Sequence, residues 1–380
     1  MSRITRTLTA VAAAGTLAVL AGCGSAAAES DESANWRQAT SVAEGGGMDA
    51  LISAAQAEGT LNVMGLYPDW ANYGGLLDAF SEKYGIEINN DTSSGSSQDQ
   101  INAVKNRVGQ DTSLDYLDTG ESFAVTSTNE ELLANYTPET AGDLPETMKS
   151  ADGTWYNHLG GTVGIGCDAA AVETCPTSFA DLLDPQYEGQ VALPGDPTTG
   201  ESGFMIVYAA ALANGGSLDD IQPGIDYFAQ LSDSGNLIPS EAVSGTVETG
   251  ETPIVLNWDY LLLQWADDVR DSGVDLTTTI PSDGTVSSYY AASVNADAPH
   301  PAVARLWQEF VFSDEGQNLL LQGYVKPGRL DAMVDAGTVD EEALGKLPEA
   351  ATSEPAPQPN EEQRASQQQV LADNWAQAVG

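Results

Sequence analysis

The stretch TLNVMGLYPDWANYGGLLDAFSEKYGIEINN, residues 60–90, decides the fold class. It starts with the short apolar run TLNVMGL and ends with IEINN, and both are typical of strands. Between them, five residues recur at the spacing of a single helix face: Tyr73, Leu76, Leu77, Phe80 and Tyr84. Gly85 then ends the predicted helix. A strand, a helix and a second strand in this order predict parallel pairing, because the helix returns the chain to the same edge of the sheet.

The same alternation continues on both sides of this stretch. An amphipathic helix is predicted near residues 48–55, another near 101–108, and a strand in LDYLDTG, residues 114–120. From GTVGIGCD at residue 161, a second unit of strands and helices begins. The sequence therefore predicts an α/β protein of two units, each a mainly parallel sheet flanked by helices.

The N-terminal stretch MSRITRTLTAVAAAGTLAVLAGC has the organisation of an export signal. Two arginines precede an apolar run that is too short to span a bilayer comfortably. Its end, LAGC, resembles the bacterial lipoprotein box, in which the cysteine is diacylated and becomes the mature N-terminus. We expect residues 1–22 to be a lipoprotein signal peptide and Cys23 to carry lipid. An ordinary signal peptide with a chance cysteine is the alternative. Residues 23–47 are predicted to form a flexible tether.

The chain is strongly acidic, with 56 acidic and 13 basic residues and a formal net charge of −43. Such a surface repels nucleic acid and anionic lipid headgroups, so neither is an expected partner. Two interpretations of the charge stay open. It can keep the protein soluble at high salt, or it can draw cationic solutes into a cleft.

Two cysteines other than Cys23 occur close together, in GCDAAAVETCP. In an exported protein, Cys167 and Cys175 are expected to form a disulfide across a short loop. A metal site needs further ligands, and the chain has only His158 and His300 to offer as imidazoles. No metal site is therefore predicted.

Several segments resemble bacterial extracellular solute-binding proteins of ATP-driven importers, in the group with the type II periplasmic-binding fold. They include LDYLDTGESFAV (114–125), PTSFADLLDPQYEGQVALPGDPTTGESG (176–203) and NADAPHPAVARLWQEFVFSDEGQ (295–317). The resemblance covers about residues 48–340. Within the group, the pattern is most similar to putative spermidine/putrescine-binding proteins.

The resemblance implies two α/β lobes joined by two crossing strands, with the ligand cleft between the lobes. Lobe 1 is expected at residues 48–160 plus 287–345 and lobe 2 at 161–286. Residues 346–380 are expected to form a Pro/Glu-rich connector and a C-terminal helix. A protein of this kind is not an enzyme, needs no cofactor, and works as a monomer with an ABC permease and its ATPase subunits.

Ligands of such folds lie between domains and beyond the carboxyl ends of strands, so the side chains that follow strands are the candidates. Ten residues are assigned to ligand binding: Asp69, Trp70, Glu121, Ser122, Glu201, Trp258, Asp259, Tyr260, Tyr289 and Tyr290. Rings that stack on methylenes and carboxylates that pair with ammonium groups suit a cation with an apolar stem. Asp259 is the strongest candidate, because it lies in the apolar stretch VLNWDYLLLQW (255–265), where a carboxylate is costly to bury without a partner.

Some candidates have structural explanations as well. Asp69 and Glu201 can cap the helices that follow them, and Trp70 can pack between the lobes. Tyr289 and Tyr290 alternate across a strand, so only one of them should face the cleft.

The expected function is therefore capture of a small cationic solute, such as a polyamine, by an exported protein that is lipid-anchored to the outer face of the cell membrane or periplasmic. Adjacent tyrosines resemble ferric-iron-binding relatives, although those carry the pair where this chain has Asn257-Trp258-Asp259-Tyr260. Lys326 and Arg329 would favour an anionic or zwitterionic solute such as an aminophosphonate if they faced the cleft. A secreted hydrolase is a weaker alternative, because no nucleophile elbow, Walker loop, dinucleotide fingerprint or HExxH motif occurs.

Overall fold

The structure is a computed structural model that describes residues 31–348 and 356–379. Within these ranges the strands are β1 (Thr60–Met64), β2 (Glu87–Asp91), β3 (Tyr116–Gly120), β4 (Tyr156–Asp168), β5 (Val191–Ala192), β6 (Ile254–Trp258), β7 (Leu276–Thr279), β8 (Ser287–Val294) and β9 (Lys326–Pro327). The helices are α1 (Asp31–Gln38), α2 (Val42–Gly45), α3 (Met48–Glu58), α4 (Tyr73–Tyr84), α5 (Ser97–Asn106), α6 (Glu121–Asn129), α7 (Glu201–Ala213), α8 (Gln222–Asp233), α9 (Ser244–Glu248), α10 (Asp259–Asp268), α11 (Pro301–Val311), α12 (Asp314–Gln322), α13 (Leu330–Ala336), α14 (Glu341–Leu344) and α15 (Glu361–Ala378).

Two strands, β4 and β8, run through both lobes and join them. β4 pairs antiparallel with β8 along its first half and with β6 and β7 along its second half. The larger sheet has the strand order β3, β8, β4, β6, β5, and β1 pairs with β2 in lobe 1. This confirms the predicted two-lobed α/β fold. The pairing differs in detail from a mainly parallel sheet, because the returning strands are antiparallel to their neighbours and the described parallel pairs are β1–β2 and β5–β6.

Glycines in β4 let aromatic rings lie directly against this crossing strand. A Cβ atom added to Gly160 would lie 2.3 Å from the ring of Tyr289, and one added to Gly161 would lie 2.4 Å from the ring of Tyr260. Both distances are far below van der Waals contact, so any larger residue would displace a ring. The sequence HLGG at the start of β4 therefore fixes where two candidate ligand residues lie.

Residues 31–47 fold onto lobe 1, which differs from the prediction of a flexible tether at 23–47. They form α1 and α2, and the side chain of Trp36 is 2% exposed. The guanidinium of Arg305 donates to the backbone carbonyls of Arg37 and Ala39 at 2.9 and 3.1 Å. The small and polar residues of this segment favour a flexible tether, but burial of the Trp36 indole holds the segment on lobe 1. The predicted signal peptide and Cys23 lie outside the described residues.

Cys167 and Cys175 form the predicted disulfide, with their Cα atoms 5.8 Å apart. The bond ties the end of β4 to the loop that follows it, and the Cys167 side of the bond is buried in the core. In the part of the chain that the structure describes, no helix is both long enough and apolar enough to cross a membrane.

Candidate ligand-binding site

Trp70 lies at the centre of an aromatic cluster between the lobes. Its ring stacks on Tyr73 with centroids 5.5 Å apart, and it meets the rings of Tyr260 and Tyr290 edge-on at 5.9 and 5.0 Å. Trp70 belongs to lobe 1, Tyr260 to lobe 2 and Tyr290 to the crossing strand β8. Gln264 on α10 also donates to the backbone carbonyl of Asp69 across the same gap. The structure therefore shows the cleft closed, with its aromatic walls in contact.

The two adjacent tyrosines of β8 face different surroundings. Tyr290 contacts Trp70, whereas Tyr289 packs over Gly160 and is 6% exposed. Burial raises the pKa of Tyr289 to about 12 and raises the pKa of Tyr290 above its usual value. Both phenols are therefore neutral near pH 7, and Tyr290 is the one that faces the aromatic cluster.

Glu121 and Glu201 are the first residues of α6 and α7, where the helix dipoles favour a carboxylate. Glu121 accepts hydrogen bonds from Asn157 at 2.6 Å and from Gln358 at 3.0 Å. Glu201 accepts a hydrogen bond from Ser288 at 3.2 Å and forms an ion pair with Arg364. Both acids thus bind side chains of the described part of the chain.

Asp259 is buried in the closed cleft, with 5% of its surface exposed. Its Oδ1 atom accepts hydrogen bonds from the backbone N–H groups of Thr162 and Tyr260, both at 2.9 Å. Burial raises the pKa of its carboxyl group to about 7, while these hydrogen bonds and the charge of Lys326 partly oppose the increase. Asp259 is therefore a buried carboxyl group whose described hydrogen bonds come from backbone N–H groups.

The remaining predicted residues lie at the edge of this arrangement. Asp69 is exposed, and its carbonyl rather than its carboxylate contacts lobe 2. Ser122 is half-buried, and its carbonyl accepts a bond within α6. Trp258 is 2% exposed, and its ring stacks on that of Tyr260 with centroids 6.4 Å apart. Its indole Nε1 is buried without a hydrogen-bond acceptor in the described residues.

A buried polar cluster behind Trp70 was not among the assigned residues. The hydroxyl of Tyr73 donates to Asp118 and lies 3.0 Å from Nε2 of His158. That Nε2 is also 3.1 Å from Oδ2 of Asp118, and Nδ1 of His158 is 2.9 Å from the carbonyl oxygen of Tyr290. The second carboxylate oxygen of Asp118 is buried without a hydrogen bond in the described residues. The sequence gives one indication of this cluster: Tyr73, Asp118 and His158 each bring a polar group into an otherwise buried element, α4, β3 or β4.

Lys326 and Arg329, the two basic residues that would favour an anionic ligand, differ in their surroundings. Arg329 pairs with Asp143 at 2.7 Å and Asp314 at 2.9 Å and is 6% exposed, so it stabilises lobe 1 and does not face the cleft. Lys326 is half-buried on β9, and its charge partly opposes the burial that raises the pKa of Asp259. In residues 31–348 and 356–379 no carboxylate lies within ion-pair distance of Lys326.

The sequence and the fold of the chain both match a known family. A family model described as bacterial extracellular solute-binding protein matches residues 118–348. The chain belongs to this family. No curated protein sequence matches the chain.

Solved structures of this class share the fold at low sequence identity. The spermidine/putrescine-binding protein PotD from Streptococcus pneumoniae is 15% identical, with a TM-score of 0.64 over 84% of this chain and 99% of that one. Iron-bound HitA from Pseudomonas aeruginosa is 22% identical, with a TM-score of 0.63 over 83% and 99%. AfuA from Actinobacillus pleuropneumoniae, solved with fructose-6-phosphate, is 16% identical, with a TM-score of 0.63 over 84% and 98%. Their titles name different ligands, so the likeness shows the fold alone.

The raised pKa of Asp259 predicts a pH-dependent stability. An unfolded aspartate loses its proton near pH 4, whereas folded Asp259 keeps its proton up to about pH 7. Unfolding therefore releases a proton between these values, and the contribution of Asp259 to the free energy of unfolding falls as the pH rises. Asp259→Asn keeps the Oδ1 acceptor and removes the titration. At pH 8 the variant should be more stable than the wild type by about 2–4 kcal/mol, because each pKa unit is worth about 1.4 kcal/mol.

Urea denaturation at pH 4 and pH 8 measures this difference. Asp78→Asn, an exposed position on α4, is the matched control and should change stability little at either pH. A stability gain for Asp259→Asn that is the same at both pH values would show that Asp259 does not titrate between them.

Proposed function

We propose that the protein captures a small cation with an apolar stem, a polyamine such as spermidine or putrescine, and delivers it to an ABC permease with its ATPase subunits. The proposal is supported by the carboxylates and aromatic rings that lie near one another between the lobes. The rings of Tyr260 and Tyr290 contact Trp70, the carboxylate of Asp259 binds the backbone N–H of Tyr260, and burial together with the charge of Glu201 raises the pKa of Tyr290. Carboxylates bind ammonium groups, and rings bind both ammonium groups and the methylenes between them.

The proposed binding cycle has no chemical step. In the closed cleft, Trp70 of lobe 1 meets Tyr260 of lobe 2 directly. A flexible amine would enter between these rings when the lobes part and would then hold the lobes together through contacts with both. The permease would recognise that closed, loaded form.

Ferric iron is the second candidate, and the buried cluster behind Trp70 is the observation that favours it. Tyr73, Asp118 and His158 bring phenol, carboxylate and imidazole donors together. These donors already bind one another, and burial raises the pKa of Tyr73, which disfavours the tyrosinate form. Titration with ferric citrate distinguishes the candidates, since tyrosinate bound to iron would add a visible absorption band.

A zwitterionic solute, such as an aminophosphonate, is the third candidate. Burial raises the pKa of Asp259, and the charge of Lys326 partly opposes that increase, so one solute could present an anionic and a cationic group to the pair. A thermal-shift panel of aminophosphonates and polyamines at equal concentration would rank these two classes.

We further propose that the protein is exported, acts as a monomer and is held at the membrane by lipid on Cys23. The basis is the LAGC sequence that ends the predicted signal peptide. Cys23→Ser should move the protein from the membrane fraction to the soluble fraction of cells that express it. Continued membrane association of the variant would contradict lipidation.

The cation proposal makes a quantitative prediction for Asp259. Asp259→Asn removes the charge and keeps the shape of the side chain. It should weaken spermidine binding at pH 8 by about 2–5 kcal/mol, roughly thirtyfold to several thousandfold in Kd, because a desolvated charge pair is lost. Isothermal titration calorimetry measures the change, with Asp78→Asn as the control.

The same titration at pH 6 adds an internal check. Asp259 is protonated in more of the free protein at pH 6 than at pH 8, because its pKa is about 7. Spermidine affinity of the wild type should therefore rise from pH 6 to pH 8, whereas that of Asp259→Asn should not share this increase. A Kd for the variant within threefold of the wild type at pH 8 would remove Asp259 from the ligand site.

A further inference from the structure

The C-terminal segment reaches into the ligand cleft. We call residues 356–379 the strap. The family match ends at residue 348, before the strap begins. Its helix α15 is anchored on lobe 2, where Leu371 is 1% exposed and the ring of Trp375 lies 5.7 Å from that of Phe228. The side chain of Gln367 also accepts a hydrogen bond from the backbone N–H of Ile221 at 3.0 Å.

The first residues of the strap cross from lobe 2 to the crossing strand β8 and to lobe 1. The carbonyl of Pro357 accepts a hydrogen bond from the backbone N–H of Ser287, the first residue of β8, at 3.2 Å. The side chain of Gln358 donates to Glu121 in lobe 1 at 3.0 Å. Because α15 is fixed to lobe 2, opening the cleft would separate Gln358 from Glu121.

Arg364 occupies the acidic part of the cleft. It is 2% exposed, and its guanidinium forms an ion pair with Glu201. A second nitrogen donates to the hydroxyl of Ser288 at 3.1 Å, and Nε donates to the carbonyl of Pro359 at 3.2 Å. The strap therefore places a planar cation on a carboxylate that we assign to the ligand.

Hydrogen bonds at the start of α15 fix the position of Arg364. Asn360 and Gln363 form a capping box, in which each side chain binds the backbone N–H of the other at 2.9 and 3.0 Å. Tyr208 of α7 donates to the carbonyl of Gln363 at 3.2 Å. The helix start is thus fixed to the same helix that presents Glu201, which gives Arg364 a defined position.

We propose that the strap is a built-in competitor for the solute: Arg364 fills a guanidinium-binding subsite made by Glu201 and Ser288, and a cationic solute has to displace it. This inference rests on the proposed cation-binding function and adds a ligand class to it, namely amines that carry a guanidinium or a primary ammonium group at one end. The apparent Kd then equals the intrinsic Kd divided by the fraction of molecules with the strap detached.

Arg364→Gln in the full-length chain tests the proposal, with agmatine as the probe because it has a guanidinium at one end and an ammonium at the other. The variant should bind agmatine at least tenfold more tightly than the wild type. Arg107→Gln is the matched control, since Arg107 pairs with Asp91 on the surface of lobe 1, and its agmatine affinity should equal that of the wild type.

Hydrogen exchange in the wild-type protein provides a measurement that does not depend on the variant folding. The N–H of Ser287 donates to the strap, so saturating agmatine should speed its exchange if the strap leaves. Slower or unchanged exchange at Ser287 with bound agmatine would overturn the proposal. So would an agmatine affinity of Arg364→Gln that is equal to or weaker than that of the wild type, since Arg364 would then have no competing role.

Failure of the strap proposal and failure of the proposed function give different results. If both the wild type and Arg364→Gln bind neither agmatine nor spermidine, the cation-binding function is wrong and the competitor proposal falls with it. If both bind with the same affinity, cation binding stands and only the competitor proposal is wrong.

Discussion

Carboxylates are buried at the cleft and behind it, and a buried carboxylate is stable only when hydrogen bonds or a cation replace the water it has lost. The structure meets this constraint in three ways. Asp118 receives the hydroxyl of Tyr73. Asp259 receives two backbone N–H groups and keeps a pKa of about 7. Glu201 receives the guanidinium of Arg364. In the closed cleft each of these three acids therefore has at least one hydrogen bond or a cation of its own.

The groups that stabilise these carboxylates differ in how readily a solute can replace them. The backbone groups around Asp259 are part of the crossing strand and of α10, so they stay in place when the lobes move. Arg364 belongs to a segment that contacts both lobes and the hinge, so lobe opening disturbs it directly. The net charge of −43 also favours displacement by a cation, because an acidic surface raises the local concentration of cations that compete for these carboxylates.

Much of this arrangement could be predicted from the sequence because it follows from local order along the chain. Glu121, Glu201 and Asp259 each begin a helix directly after a strand or its loop, as the sequence predicts. The two lobes and the disulfide follow from equally local patterns. Which of Tyr289 and Tyr290 faces Trp70 depends on the pleat of β8 and on the space that Gly160 leaves, and the sequence defines neither by itself.

The contacts that sequence patterns miss are those between distant segments. Arg364 and Glu201 are separated by 163 residues, and a lone arginine in a polar C-terminal helix gives no sign of its partner. The segment that carries Trp36 likewise resembles a tether in sequence, whereas Arg305 of α11, far along the chain, binds the backbone carbonyls of Arg37 and Ala39. Burial of a charged or aromatic side chain by a remote element is a tertiary property, and no local periodicity records it.

A crystal structure of the full-length mature protein with spermidine tests the central claim most directly. We expect an amine chain between Trp70 and Tyr260, with one ammonium group within hydrogen-bond distance of Asp259 and the guanidinium of Arg364 displaced from Glu201. Spermidine bound outside the cleft, or an occupied cleft in which no amine nitrogen contacts a carboxylate, would contradict it.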